Sequence, residues 1–269
     1  MTLVQQFEAL QEGQAVNVVY ADGAYAGVVH EVRSYGIRFK DRSWASFING
    51  DAVTLVENFG LPNVVRHTVT AIEIVEPIYI ESLIAPFETP AAFETWAESI
   101  PWADRTTARR ECFMSDPAGV SYTYGEGRGQ RTYTSVLPDE YVRYAMYHVN
   151  EVMARRGWGA MSGCFLNRYD TKKNALHWHA DDFTGMKHAR HGVAIVSCGE
   201  PREIWWRLKG QTGVTPPEQR QLLAPGSLLI MPPGMQFTHE HRIPRGDRDM
   251  GTRVSMTSRA VRRPIAQRN

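Results

Sequence analysis

Two histidines and one aspartate in the second half of this sequence have the residue types of a metal site. His179 and Asp181 form a His-x-Asp pair, and His241 lies well downstream. Two imidazoles and one carboxylate on one side of a metal suit non-haem Fe(II), and they leave coordination positions open for O2 and a second ligand. The pattern therefore predicts an iron site and oxidative chemistry.

Spacing alone does not decide which histidines are the ligands. Residues two apart on a strand point to the same face, about 6.6 Å apart, so His177 and His179 could also bracket an ion. His239 and His241 have the same spacing. A strand surface with outward polar residues, which binds no metal, would give the same sequence pattern.

Two arginines follow the second histidine on an otherwise apolar segment. Arg253 and Arg259 could hold a dicarboxylate beside the metal, because a planar guanidinium makes charge-assisted and bidentate contacts with carboxylates. The alternative is a solvated basic tail, since Arg262, Arg263 and Arg268 come next. The apolar setting and the neighbouring histidine favour the first interpretation.

Length and composition predict a globular intracellular protein, which we expect to be a monomer. A chain of 269 residues fits one large domain, or a large and a small one. The sequence has no apolar run long enough to span a membrane and no signal-peptide pattern, so we expect no membrane partner. Cys112, Cys164 and Cys198 are few and widely spaced. They are typical of reduced thiols in the cytoplasm, or in the nucleus if the organism is a eukaryote.

The small net charge hides an asymmetry between the two ends of the chain. Residues 1–100 carry a net charge of −8 and residues 101–269 a net charge of +9, which together give +1. A basic second half predicts a polyanionic partner for that half, and an acidic first half does not.

Residues 1–76 predict a small β-barrel. Short strands joined by tight turns, Asp22-Gly23 among them, are typical of the SH3-like type. Because this region is acidic, contact with phosphates is disfavoured, and we expect an interaction module that docks another protein. The predicted strands cover residues 15–21, 24–32, 36–40, 44–48 and 52–56.

Residues 77–269, after Glu76-Pro77, predict a second domain. We expect one helix from Thr89-Pro90 onward and another over 138–157, where Pro138, early acids and Gly157 match helix-capping preferences. The later strands predict an α+β, mostly β fold, with helices on one face of a sheet sandwich. These strands cover residues 163–169, 175–179, 192–198, 203–208, 227–231 and 252–258.

Roughly residues 77–262 resemble the AlkB family of Fe(II)/2-oxoglutarate-dependent dioxygenases, in the branch that dealkylates nucleic acids. The resemblance is carried by an ordered set of segments rather than by any one of them. A cupin is a poorer match, because its motif requires a histidine where Phe237 stands. The matching segments are Asn167-Arg168-Tyr169, His179-Ala180-Asp181-Asp182, residues 193–199, residues 225–231, and the arginines 12 and 18 residues after His241.

This resemblance implies a double-stranded β-helix, or jelly-roll, fold and a set of site residues. His179, Asp181 and His241 would be the catalytic Fe(II) ligands. The cofactors would be Fe(II), 2-oxoglutarate and O2, with ascorbate as a reductant. Ser255 replaces the family's usual asparagine between the two arginines. The residues implied to bind 2-oxoglutarate are Asn167, Tyr169, Arg253, Ser255 and Arg259.

The resemblance also implies a nucleotide-recognition lid over residues 109–124. It implies that Tyr124 stacks on the target base, which contributes about 1–3 kcal/mol per base, and that Asp182 accepts from the exocyclic amine. Tyr122 and Arg110 complete the implied substrate-binding set. Alternation on a half-buried strand would also explain the two tyrosines. Phe183 replaces the third acid of the nucleic-acid-repairing members.

The implied function is oxidative demethylation of alkylated nucleobases, 1-methyladenine and 3-methylcytosine, in DNA or RNA. One alternative keeps the cofactor chemistry but acts on another substrate, namely a modified RNA, a free nucleotide or a protein side chain. A second alternative is a non-catalytic scaffold that binds nucleic acid or protein. The complete ligand set and both arginines disfavour the scaffold.

Overall fold

The computed structural model of the protein describes most of the chain. The described residues are 2–20, 23–33, 36–40, 43–46, 53–57, 65–103, 109–124, 130–181, 192–212 and 219–261. Within them, no helix has the length and apolar character needed to cross a membrane.

The first part of the chain forms a closed antiparallel barrel. The helix α1 (Leu3–Glu8) precedes it and buries Phe7 in the barrel core, beside Val16, Ile37 and Leu55. Apolar residues at alternate strand positions fill this interior, which is the pattern expected of a half-buried strand. The strands are β1 (Ala15–Tyr20), β2 (Gly23–Arg33), β3 (Gly36–Phe39), β4 (Trp44–Ser46), β5 (Thr54–Glu57) and β6 (Val65–Ile74).

The barrel has one strand more than the sequence predicts. The missed strand, β6, pairs with both β5 and β1 and so closes the barrel. Its polar residues at outward positions, such as Arg66, Thr68 and Thr70, conceal the apolar alternation that marks a strand. Some ends of the predicted strands, at residues 21, 47, 48 and 52, lie outside the described residues. The SH3-like type and the domain boundary after residue 76 stay predictions.

The second part of the chain contains two larger antiparallel sheets. The major sheet has the order β7-β16-β13-β18-β11-β8 and the minor sheet has the order β12-β17-β14-β15. Two antiparallel sheets with such crossed strand orders agree with a jelly-roll oxygenase fold. The major-sheet strands are β7 (Ile78–Ile80), β8 (Arg110–Ser115), β11 (Gly163–Tyr169), β13 (Val193–Gly199), β16 (Leu228–Met231) and β18 (Arg253–Arg259). The minor-sheet strands are β12 (Leu176–His179), β14 (Arg202–Leu208), β15 (Gln219–Leu223) and β17 (His239–Ile243).

Two helices cover one face of the major sheet. The helix α2 (Pro90–Ser99) begins after the N-cap Thr89, and α3 (Glu140–Arg155) begins after the N-cap Asp139. Asp139 also accepts a hydrogen bond from the indole of Trp96 at 2.9 Å, which ties the two helices together. The predicted helix starts are therefore confirmed, and helix α3 ends two residues before Gly157.

Strand β18 shows how the major sheet separates its two faces. Val254 and Met256 pack in the apolar core under the helices, whereas the alternate residues line the space between the sheets. Because side chains alternate along a strand, Arg253 and Arg259 must share the second face. Two smaller elements complete the fold: the two-stranded hairpin β9 (Ser121–Tyr124) and β10 (Arg131–Thr134), and the short helix α4 (Met235–Thr238).

Candidate metal centre and dicarboxylate pocket

The predicted metal ligands meet at one end of the minor sheet. His179 ends β12 and lies opposite His241 in the register of β17, and Asp181 follows two residues later. Their ligand atoms all lie within 4.8 Å of one another, and His179 Nε2 is 3.7 Å from Asp181 Oδ1. Asp181 is 0% exposed. The geometry suits one ion held by two imidazoles and a carboxylate.

The structure brings His179 and His241 together and leaves the other two candidate histidines out. His177 is exposed, and its carbonyl oxygen lies 2.8 Å from His179 Nδ1, which leaves Nε2 directed at Asp181. His239 is buried, but its Nδ1 lies 2.9 Å from the Thr238 hydroxyl. Over the described part of the chain, the trio His179, Asp181 and His241 is the one group with metal-ligand geometry.

Burial sets the protonation states that a metal requires. It lowers the pKa of His241 to about 3, and it also lowers the pKa of His179. Both imidazoles are therefore neutral near pH 7, which is the form that binds a metal. Burial is the largest single influence on Asp181 and would raise its pKa, but the positive charge and hydrogen bond of Arg259, together with the two neighbouring histidines, lower the pKa below its usual range.

Two neighbours hold Asp181 in position. Arg259 Nη2 donates to Asp181 Oδ2 at 2.7 Å, and the side-chain oxygen of Gln236 accepts from the Asp181 backbone N–H at 2.7 Å. The other carboxylate oxygen, Oδ1, has no hydrogen-bond partner among the described residues. Outer contacts of this kind orient a ligand toward its metal, so Oδ1 is the atom available to the ion.

Arg253 is the clearest indication of an anionic ligand. Its side chain is 0% exposed, its Nε donates to Ser197 Oγ at 3.0 Å, and its guanidinium lies 5.2 Å from the ring centre of Tyr169. Both Nη groups lack a hydrogen-bond partner within the described residues. A buried charge without a partner is costly, so these four N–H bonds fit the distal carboxylate of a dicarboxylate such as 2-oxoglutarate.

The metal ligands and the arginines line one pocket between the two sheets. Strand register explains the arrangement, because β18 is hydrogen-bonded to β11 on one side and β13 on the other. All five residues predicted to bind 2-oxoglutarate line this pocket, together with apolar residues from both sheets. The lining residues are Arg109, Phe165, Asn167, Tyr169, Leu176, His179, Asp181, Ile195, Ile204, His241, Ile243, Arg253, Ser255, Thr257 and Arg259.

Arg109 and Glu111 are site residues that the sequence reasoning missed. Arg109 lines the pocket, donates from Nε to Asn167 Oδ1 at 2.8 Å, and pairs through Nη2 with Glu111 at 2.7 Å. The buried Glu111 also accepts a hydrogen bond from the Tyr133 hydroxyl and lies 3.4 Å from Arg131. Glu111 thus joins the pocket to the hairpin β9–β10. The opposite charges of Arg109 and Glu111, two residues apart at the start of β8, were the one feature of the sequence that could have indicated this ion pair.

The structure brings fewer of the predicted substrate residues to the pocket than of the predicted cofactor residues. Tyr122 is buried in an apolar cluster with Phe113 and Phe165, and the Arg259 guanidinium lies 5.8 Å from its ring centre. The structure does not bring Arg110 to the pocket, because Arg110 is exposed and pairs with Glu98 of α2 at 3.1 Å. Tyr124 ends strand β9, but its side chain is outside the described residues, as are Asp182 and Phe183.

Sequence comparisons agree with this chemistry. The family model described as the 2OG-Fe(II) oxygenase superfamily matches residues 77–260. The DNA oxidative demethylase ALKBH2 of Arabidopsis thaliana is 26% identical over 214 residues, which cover 68% of this chain and 66% of that protein, just under two thirds of its length. A solved structure of OsALKBH1 aligns with 14% identity and a TM-score of 0.46, over 68% of this chain and 97% of that one.

Proposed function

Because this chain belongs to the 2OG-Fe(II) oxygenase superfamily, we propose that it oxidatively demethylates alkylated nucleobases in DNA or RNA. The AlkB resemblance noted in the sequence is confirmed by the similarity to ALKBH2, so the enzyme class is a dioxygenase. Its substrates would be 1-methyladenine and 3-methylcytosine. In both bases the methyl group blocks the pairing edge, which lowers the cost of moving the base out of a duplex.

The observation that carries this proposal is the buried Arg253, whose two Nη groups have no hydrogen-bond partner among the described residues, in the same pocket as the metal ligands. His179, Asp181 and His241 would hold Fe(II), and Arg253 with Tyr169 would hold the distal carboxylate of 2-oxoglutarate. Bound Fe(II), 2-oxoglutarate and O2 would supply the oxidation of an N-methyl carbon, after which formaldehyde is released from the base.

The remaining polar residues have roles that follow from their positions. Asn167 and Arg259 would contact the metal-chelating end of 2-oxoglutarate. Ser255 lines the pocket between Arg253 and Arg259 on β18, opposite Asn167 of β11. Arg259 would also keep Asp181 ionised and oriented through its 2.7 Å hydrogen bond. The apolar lining from Ile195, Ile204 and Ile243 excludes water from these charges and so strengthens their interactions.

The substrate assignment rests on the sequence and on the placement of the hairpin. Tyr124 would stack on the flipped base, Asp182 would accept from its exocyclic amine, and Tyr122 would support the base-facing side of the hairpin. The net charge of +9 over residues 101–269 favours a nucleic-acid substrate. Arg110, on the exposed edge of β8, would contact a phosphate rather than the base.

The test is an assay of both products with a methylated oligonucleotide. Wild-type protein with Fe(II), 2-oxoglutarate, O2 and ascorbate should form succinate, and should release formaldehyde only when the oligonucleotide carries 3-methylcytosine or 1-methyladenine. His179→Ala should form neither product. No succinate from wild type under any condition would overturn the cofactor assignment.

A second candidate substrate class keeps the same cofactors. Phe183 stands in place of an acid that the nucleic-acid-repairing members carry, and this favours a modified RNA, a free nucleotide or a protein side chain. Succinate formation without formaldehyde from any methylated DNA or RNA oligonucleotide would favour this class. It would overturn the nucleobase assignment while leaving the cofactors in place.

A further inference from the structure

The barrel and the metal-binding part of the chain share one apolar core. Ala15 of β1 and Val75, just after β6, are buried in the same cluster as Met231 and Met235, which lie on either side of the Pro232-Pro233-Gly234 turn. Helix α4, which starts at Met235, leads directly into β17 and its ligand His241. The barrel therefore packs against the segment that connects the major sheet to the metal centre.

One polar contact stands inside this apolar interface. Asn17 lies between Val16 and Val18, which both fill the barrel core, so its side chain points to the outside of the barrel. It is nevertheless 2% exposed, and its Nδ2 donates to the Pro233 carbonyl oxygen at 2.5 Å. Gly234 has a φ of +86°, and a Cβ there would collide with Asn17 Oδ1. The turn is thus held tightly against one barrel side chain.

The same turn reaches the metal ligand through Gln236. This side chain is 3% exposed; its oxygen accepts from the Asp181 N–H at 2.7 Å, and its Nε2 lies 3.3 Å from Met231 Sδ. A buried backbone N–H needs a partner, and Gln236 supplies it for Asp181. Contacts therefore run without a break from Asn17 through the turn to Asp181.

We propose that Asn17 and Gln236 are positioning residues for the metal centre, and that the barrel acts as a part of this centre rather than only as a docking module. The inference rests on the metal ligands of the proposed function. Asn17 fixes the turn, the turn fixes Gln236, and Gln236 sets the orientation of the Asp181 backbone and hence of its carboxylate. Changes to such supporting residues weaken metal affinity by about 10–100-fold.

A merely structural contact would behave differently. If Asn17 and Gln236 only attach the barrel to the sheets, their loss would lower the thermal stability of the protein, but the folded fraction would bind metal as tightly as wild type. The position of Arg253, on β18 of the major sheet and away from the turn, provides an internal reference. Its contact with 2-oxoglutarate should not depend on Asn17.

The test is Mn(II) binding to the 269-residue chain without substrate, followed by the electron paramagnetic resonance signal of the free ion. Asn17→Ala and Gln236→Met should each raise the Mn(II) dissociation constant about tenfold or more. The KM for 2-oxoglutarate at saturating metal should stay within about twofold of wild type. Thr70→Val, which removes an exposed barrel hydrogen bond to the Val19 carbonyl, should change neither value.

The outcomes separate this inference from the proposed function. Failure of wild type to bind Mn(II) more tightly than His179→Ala would overturn the metal site itself. Binding by wild type with unchanged affinity in both variants would overturn the positioning role alone, as would an equal loss in Thr70→Val. Weaker binding by Gln236→Met with unchanged affinity in Asn17→Ala would overturn the role of the barrel. Should Asn17→Ala fail to fold, Asn17→Ser, which also lacks the Nδ2 donor, takes its place.

Discussion

The metal pocket and the hairpin β9–β10, which we propose recognises the substrate, differ in how firmly the fold holds their side chains. The residues proposed to bind 2-oxoglutarate stand on β11 and β18, seven-residue strands that each have a neighbour on both sides. The hairpin β9–β10 is a separate two-stranded sheet with four residue pairs. Its polar connection to the pocket runs through Glu111. Sheet register thus fixes the residues proposed to bind 2-oxoglutarate, whereas the proposed substrate recognition would depend on a few side-chain contacts.

The largest expected effect comes from removing the positive charge of Arg253 in the metal pocket. Arg253→Met should raise the KM for 2-oxoglutarate at least 100-fold, since truncating one member of a buried charge pair costs about 3–5 kcal/mol. The same change should raise the thermal stability of the cofactor-free protein, because it removes a buried cation whose Nη groups lack partners among the described residues. Steady-state kinetics and calorimetry check the two expectations. A variant with unchanged KM would show that the dicarboxylate binds elsewhere.

A smaller effect is expected at Glu111, which joins the metal pocket to the hairpin β9–β10. Glu111→Gln keeps the shape of the side chain but removes its charge, so its contacts with Arg109, Arg131 and Tyr133 lose charge assistance, worth about 1.5–3 kcal/mol in such hydrogen bonds. The KM for a methylated oligonucleotide should rise about tenfold or more, while succinate formation without oligonucleotide should change by less than twofold. An equal loss of both activities would mean that Glu111 serves the cofactor pocket and not the hairpin.

Arg110 is the matched control for Glu111, because it is the next residue back on the same strand and lies on the opposite face. Its ion pair with Glu98 is exposed to solvent and should contribute little to stability. Arg110→Gln should therefore leave the stability nearly unchanged and raise the KM for the oligonucleotide only a few-fold. This remaining increase in KM should become smaller as the salt concentration increases. A loss as large as that of Glu111→Gln would place Arg110 in direct contact with the base.

The effect that is smallest at neutral pH concerns His239, which is buried on β17 two residues before the ligand His241 but is outside the ligand set. Burial lowers the pKa of His239 to about 4 from its ordinary value of 6.5. As the pH falls below about 6.5, the unfolded chain takes up this proton before the folded protein does, so stability decreases toward pH 4 by at most about 1.4 kcal/mol per pH unit. His239→Gln should make this decrease shallower in urea titrations at several pH values. An unchanged slope would contradict the burial effect.

The sequence predicts the residues of the metal pocket better than the contacts of the hairpin β9–β10, for a physical reason. Strand spacing made His179 and Asp181 a candidate pair, and the ordered segments of the AlkB resemblance then selected His179 over His177 and His241 over His239. Arg253 and Arg259 share a face because they are an even number of residues apart. These are local constraints that a sequence expresses directly.

Contacts between distant elements were not predictable in the same way. Asn17 and Pro233 are 216 positions apart, and nothing near Asn17 indicates that an outward strand residue becomes buried against a turn. The sixth barrel strand was missed because polar outward residues obscure its alternation. The connection of Glu111 to Tyr133 likewise depends on how the hairpin folds back over β8.

The most direct test of the central claim is mass spectrometry of a single-stranded oligonucleotide containing one 3-methylcytosine, before and after incubation with the protein, Fe(II), 2-oxoglutarate and O2. We expect wild type to convert the oligonucleotide to the unmethylated mass and His241→Ala to leave it unchanged. Omission of 2-oxoglutarate should have the same effect as that variant. An unchanged mass with wild type, or equal conversion by wild type and His241→Ala, would contradict the central claim.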